Sequence, residues 1–163
     1  ALEAEFQDIC ENLYKSPQVI CHRDFHSRNI MLTFDELAII DFQDARLGPP
    51  AYDLVSLFYD SYVELSPESV NELMSYYKSN FPHYDELNLS DDEWDRLFLL
   101  QTIQRCFKAC GSFASFKMTR DDNRYLDYIA PTLVRVLEHL PRWKKDSLLE
   151  GLILSSKETW EAL

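Results

Sequence analysis

Apolar residues recur at helical spacing over residues 2–14, where Phe6, Ile9, Cys10, Leu13 and Tyr14 predict an amphipathic helix. Ser16-Pro17 predicts its end, because proline pushes the preceding residue out of the helical region. Val19-Ile20-Cys21 is a short apolar run that predicts a buried strand. Polar residues from His22 to Asn29 then read as a loop. Two further apolar runs, Ile30-Met31-Leu32 and Leu37-Ala38-Ile39-Ile40, flank Phe34-Asp35-Glu36 and predict a β-hairpin. Gly48-Pro49-Pro50 predicts another loop. Beyond it the pattern becomes helical. Tyr52 to Leu65 is amphipathic. Ser66-Pro67 reads as an N-cap with proline at the first helical position. Ser90 and Glu93 form a capping box ahead of a long helix over residues 94–118. Residues 125–140, with Pro131 early in the segment, and 143–163 predict the last helices. The expected fold class is α+β and mainly helical.

Length and charge narrow the picture. A chain of 163 residues with 46% hydrophobic content suits one domain with one core. The formal net charge is −12, from 28 acidic and 16 basic residues. Such a surface repels phosphate backbones and anionic lipid headgroups, so neither nucleic acid nor a membrane surface is an expected partner. No run is long and apolar enough to predict a membrane span. The cysteines, Cys10, Cys21, Cys106 and Cys110, form no Cys-x-x-Cys pair and have no zinc-ligand spacing. They read as reduced thiols of a cytoplasmic protein. The first residue is Ala1 and the chain opens inside a helical pattern, which reads as a fragment or a processed chain.

The chemistry concentrates between His22 and Asp41. His22 and Asp24 stand in His-Arg-Asp, Asn29 follows five residues after Asp24, and Asp41 closes the second hairpin strand in Asp-Phe. This spacing is the phosphoryl-transfer pattern of the kinase fold. An acceptor hydroxyl must be aligned with the γ-phosphate of ATP and must lose its proton, a task that suits the Asp24 carboxylate. Magnesium prefers hard oxygen ligands, which the Asn29 amide and the Asp41 carboxylate supply. His22 is expected to fix the loop and the Asp-Phe backbone rather than to react.

With those residues in view, His22-Arg23-Asp24-Phe25-His26-Ser27-Arg28-Asn29 resembles the catalytic loop of the aminoglycoside phosphotransferase and choline kinase superfamily. Protein kinases usually carry Lys where His26 stands. Ile40-Asp41-Phe42-Gln43-Asp44-Ala45, Gly48-Pro49 and Tyr52-Asp53-Leu54 resemble the branch of bacterial anomeric kinases acting on N-acetylmuramate and N-acetylglucosamine. The run from Gln104 to Phe113, followed by Tyr125-Leu126, resembles it too. The resemblance implies the C-terminal lobe of a protein-kinase-like phosphotransferase over residues 1–163, with a short hairpin carrying the catalytic loop. It implies ATP and Mg2+ as cofactors, Asp24 as base, and Asn29 and Asp41 as metal ligands. It also implies that Asp53 anchors the loop through buried hydrogen bonds, and that Gln43 and Asp44 lie at the mouth of the acceptor pocket.

The family's Gly-rich loop and phosphate-gripping lysine belong to an N-terminal lobe. Only 21 residues precede His22, and none is glycine. An upstream lobe of the same protein is therefore an expected partner, and the chain alone is expected to turn over little or nothing. The competing reading is a catalytically silent kinase-like binding module, which the intact Asp24, Asn29 and Asp41 argue against. An aminoglycoside- or choline-type kinase is a second alternative. Several further side chains have two readings. His26 either faces the acceptor or makes a structural hydrogen bond. Arg28 either orients the acceptor or pairs with Asp44. Arg105 and Lys108 share a helix face three residues apart, and either contact a substrate anion or form salt bridges. The Asp91-Asp92 pair is explained by the helix dipole, and Trp94, Trp143 and Trp160 read as core or groove aromatics.

Overall fold

The computed structural model describes residues 1–81 and 84–162. It is mainly helical, with small antiparallel β-ribbons, and it divides into two compact units. One unit comprises Ala1–Ser16 and Leu99–Leu163, the other Pro17–Phe98.

The first unit is all helix. Helix α1 (Leu2–Lys15) buries Ile9 and Leu13, as its periodicity predicts. Helix α4 (Asp91–Arg120) opens on the predicted capping box. The Ser90 N–H donates to Glu93 Oε2 at 2.9 Å and the Glu93 N–H to Ser90 Oγ at 3.3 Å. Most of α4 belongs to this unit. Helix α5 (Ile129–Trp143) buries Ile129, Leu133, Val136 and Leu140 on one stripe, and Pro131 sits in its first turn. The predicted helix over 143–163 is two helices, α6 (Leu148–Ser155) and α7 (Lys157–Glu161), and Leu163 lies outside the described residues. The interruption has a local cause. Asp146 takes φ 53°, and Ser147 then caps a new helix by accepting the Glu150 N–H at 3.0 Å.

Glu5 ties this unit together. Its carboxylate accepts the N–H groups of Leu148 (3.1 Å) and Leu149 (3.0 Å) and meets Lys144 Nζ at 2.8 Å. Burial pushes its pKa up, but Lys144 and the two N–H donors outweigh that and hold it below the ordinary value.

The second unit contains every strand among the described residues. The strands β1 (Val19–Cys21), β2 (Ile30–Thr33), β3 (Glu36–Ile39) and β4 (Arg46–Gly48) pair antiparallel as β1 with β4 and β2 with β3. They form a nested ribbon, a long hairpin whose ladder is interrupted midway by residues 22–29 and 40–45. The tip is a two-residue turn with positive φ at Phe34 (47°) and Asp35 (71°), the type that matches strand twist. Two expectations fail here. Strand β4 occupies part of the predicted loop, and Gly48 suits it because a Cβ there would lie 3.2 Å from Cys21 Sγ. The expected burial of β1 is met only at Cys21, with Ile20 80% exposed, and Phe34 in the hairpin turn is 103% exposed.

Helix α2 (Tyr52–Phe58) is shorter than the predicted amphipathic stretch to Leu65. Helix α3 (Pro67–Asn80) starts as predicted, with Ser66 Oγ accepting the Ser69 N–H at 3.2 Å. Trp94 is the aromatic centre of this unit, buried against Tyr77 (ring centroids 5.7 Å apart) and Tyr84 (5.3 Å). Asp91 pairs with Lys78 at 2.9 Å. The cysteines are all free thiols, as expected. Burial pushes the Cys21 and Cys110 pKa values up to about 12 and that of Cys106 to about 11, so these three are poor nucleophiles.

Candidate active site

The two interruptions in the β-ribbon lie side by side. The Ile40 N–H donates to Asn29 O at 3.0 Å, which fixes residue 29 beside the start of the second interruption. His22 makes a second tie, its Nε2 lying 2.9 Å from Ile40 O. Each interruption contains a non-glycine residue at positive φ, Arg23 (78°) and Asp41 (68°). Such conformations cost about 1–3 kcal/mol each and persist only where the surroundings over-determine them.

The surroundings supply that constraint. At the first turn of α2, Asp53 turns its carboxylate to the loop. Oδ2 accepts the His22 N–H at 2.6 Å, and Oδ1 accepts the Arg23 N–H at 2.9 Å. Bonds from two successive amides to one carboxylate fix the backbone immediately ahead of Asp24. The chain then closes a tight turn, with the His26 N–H donating to Asp24 O at 3.1 Å and the Asn29 N–H to His26 O at 2.9 Å.

Asn29 is buried and bridges the two interruptions. Its Nδ2 donates to Asp24 O at 2.9 Å and approaches Asp41 Oδ2 at 3.4 Å. Gln43 Nε2 donates to the other oxygen, Asp41 Oδ1, at 2.7 Å. The donor side of the Asn29 amide is thus committed within the protein, and its oxygen is the side left for a cation. An amide oxygen beside a carboxylate fits a hard divalent ion such as magnesium, which uses one or two protein oxygens together with phosphate oxygens. Among the described residues, no group of three or more His, Cys, Asp or Glu could hold a metal by itself. Asp24 is half-buried, and no described residue reaches its carboxylate with a hydrogen bond or an ion pair. The arrangement therefore offers a free carboxylate next to a paired amide and carboxylate. That combination can deprotonate a hydroxyl beside a metal-bound anion.

The other predicted residues divide. His26 meets the edge of Tyr62 with ring centroids 5.4 Å apart, and the Arg28 guanidinium lies 3.6 Å above the same ring. The Asp44 carboxylate is 3.7 Å from Arg46 Nη2, its neighbour across one residue. Arg105 and Lys108 belong to the all-helical unit. There Lys108 lines a cavity of about 190 Å³ with Phe6, Ile9 and Phe107. Sequence reasoning missed Asp60 and Tyr62. Asp60 is buried, and its carboxylate accepts the Ser27 N–H at 2.8 Å. An acid inside an otherwise apolar stretch was the available signal.

Comparison with known proteins gives the family. Residues 1–89 match the model of the phosphotransferase enzyme family (APH). This chain belongs to that family. Among curated proteins it is similar to the N-acetylmuramate/N-acetylglucosamine kinase of Neisseria meningitidis serogroup B, 36% identical over 131 residues that cover 80% of this chain and 38% of that protein. The enzyme of the same name from Pseudomonas aeruginosa is 33% identical over 140 residues, 83% of this chain and 41% of that protein. That from Caulobacter vibrioides is 32% identical over 117 residues, 68% of this chain and 31% of that protein. The chain thus spans about two fifths or less of the length of these relatives. No helix among the described residues is long and apolar enough to cross a membrane.

Proposed function

We propose that residues 1–163 are the C-terminal catalytic lobe of an ATP-dependent small-molecule kinase. Its acceptor is a hydroxyl of an amino sugar such as N-acetylmuramate or N-acetylglucosamine. The observation that carries the reading is the Asn29 amide, which joins the Asp24 backbone to the Asp41 carboxylate while the Asp24 carboxylate stays unpartnered among the described residues. Asp24 is the base. It accepts a hydrogen bond from the acceptor hydroxyl and takes its proton as the oxygen–phosphorus bond forms and the bond to the leaving diphosphate breaks. Asn29 and Asp41 are the metal ligands. Magnesium, when bound there, neutralises charge on the transferred phosphoryl group. His22 and Asp53 hold the loop in register. Gln43, which grips Asp41, and Asp44 line the acceptor side, with His26 and Arg28 packed on Tyr62 toward the end of the loop. The names of the relatives support an amino sugar as acceptor. An upstream lobe of the same protein supplies the remaining contacts to ATP and covers the exposed apolar hairpin around Phe34.

The test is a screen of phosphate transfer from ATP by the full-length protein. The acceptors are N-acetyl amino sugars, aminoglycosides, choline and homoserine. Transfer to an N-acetyl sugar is the expected result. Transfer to another acceptor with none to any N-acetyl sugar would sink the substrate assignment.

A further inference from the structure

A second carboxylate, Asp60, holds the loop after Asp24, where Asp53 holds it before. Asp60 is only 6% exposed. Burying a carboxylate is costly unless hydrogen bonds replace its water, and both of its oxygens are engaged. Oδ2 accepts the Ser27 N–H at 2.8 Å, and Oδ1 accepts the Tyr62 N–H at 2.8 Å. The side chain therefore links the loop to the turn that follows α2. That turn also carries Tyr62, whose ring meets Arg28 on its face at 3.6 Å and His26 at 5.4 Å. Three consecutive loop residues, His26, Ser27 and Arg28, thus rest on one turn.

Asp53 and Asp60 bracket the same short helix. Asp53 lies in the first turn of α2, and Asp60 lies two residues past its last residue, Phe58. Seven helical residues span about 10 Å at 1.5 Å per residue, with little give. One acid holds the loop before Asp24, at His22 and Arg23, and the other holds it after, at Ser27. Asp24 stands between the two anchors, and no described residue makes a hydrogen bond or an ion pair to its carboxylate.

We propose that Asp60, together with Tyr62, is a positioning residue for Asp24, and that α2 acts as the ruler between the two loop anchors. Neither residue touches the reacting atoms. The inference rests on the assignment of Asp24 as the base.

Two substitutions in the full-length protein test it. Asp60→Asn keeps the shape but turns an NH2 group toward one of the two amides that Asp60 holds. Ser27→Pro removes the N–H that Asp60 accepts, together with a hydroxyl for which no hydrogen bond is described. Proline fits there because Ser27 opens a 3-10 turn and His26 before it is extended (φ −139°, ψ 168°). Misplacing a catalytic group by about 1 Å can cost about 100-fold in rate. Both variants are therefore expected to lower kcat by about 10- to 100-fold. The dissociation constant for magnesium-ATP is expected to stay within about twofold of wild type, and hydrogen exchange is expected to rise in the peptide covering residues 24–29. A loss of kcat and of nucleotide affinity together would reduce Asp60 to a general structural role and overturn the proposal. So would wild-type kcat with wild-type exchange. Should Asp60→Asn fail to fold, Ser27→Pro decides alone. A wild-type protein that phosphorylates no acceptor would instead sink the reading of Asp24 itself.

Discussion

Glu5 and Asp53 are both carboxylates that accept two successive backbone N–H groups, yet they stabilise different things. Glu5 takes those of Leu148 and Leu149 and closes the start of a helix, within a unit that also buries Ile9, Val136, Leu140 and Leu149. Asp53 takes those of His22 and Arg23 and holds a loop that contains a strained residue, next to a ribbon whose apolar side chains are exposed. The same hydrogen-bonding device serves packing in one unit and the placement of a free carboxylate in the other. Stability and function are accordingly expected to respond to different substitutions.

The largest separation should come from Asp24→Ala. A positioned base contributes about 10²- to 10⁴-fold to rate, so turnover by the full-length protein should fall by that factor. Its unfolding free energy should change by less than about 0.5 kcal/mol, because no described hydrogen bond or ion pair of the carboxylate is lost. Wild-type-like turnover would remove Asp24 from the mechanism. A large loss of stability would erase the contrast between the units. Leu140→Ala is the converse. Leu140 is fully buried in the helical unit, and truncating such a leucine costs about 2–5 kcal/mol in chemical denaturation.

Glu5 gives a smaller effect with a pH signature. Glu5→Gln leaves amides facing a poorer acceptor and should cost about 1–3 kcal/mol at neutral pH. The folded-state pKa of Glu5 lies below its ordinary value of 4.5. Its stabilisation is therefore fully present above pH 4.5 and is lost as pH falls through the lower folded value. The stability curves of the wild type and Glu5→Gln should converge as pH drops below 4.5, and parallel curves would show that Glu5 titrates alike in both states.

The contrast also explains what could be read from the sequence. Helix starts are local events, so Ser66-Pro67 and the Ser90–Glu93 capping box were legible. The Ser147–Glu150 cap obeys the same rule and splits the last predicted helix. The clustering of His22, Asp24 and Asn29 was legible because the His-x-Asp-x4-Asn spacing confines them to one short loop. Strand β4 was not. It has only three residues, and its partner β1 lies far back in the chain. Asp60 was hidden for a similar reason, since its bond to Ser27 joins residues 33 apart in sequence. Burial of β1 was legible only at Cys21, because an apolar run reports a tendency, whereas the exposure of Ile20 depends on what covers it.

Phe34→Ser should have the smallest effect and sharpens the comparison at that point. The side chain is fully exposed at the hairpin tip, so the 163-residue chain should lose less than about 0.5 kcal/mol on denaturation. If an upstream lobe covers the hairpin in the full-length protein, the same substitution there removes a buried aromatic contact worth about 1.5–3 kcal/mol. The quantity to measure is the difference between the two costs. Equal, negligible costs in both would mean that the exposed apolar ribbon is not the surface on which the rest of the protein sits.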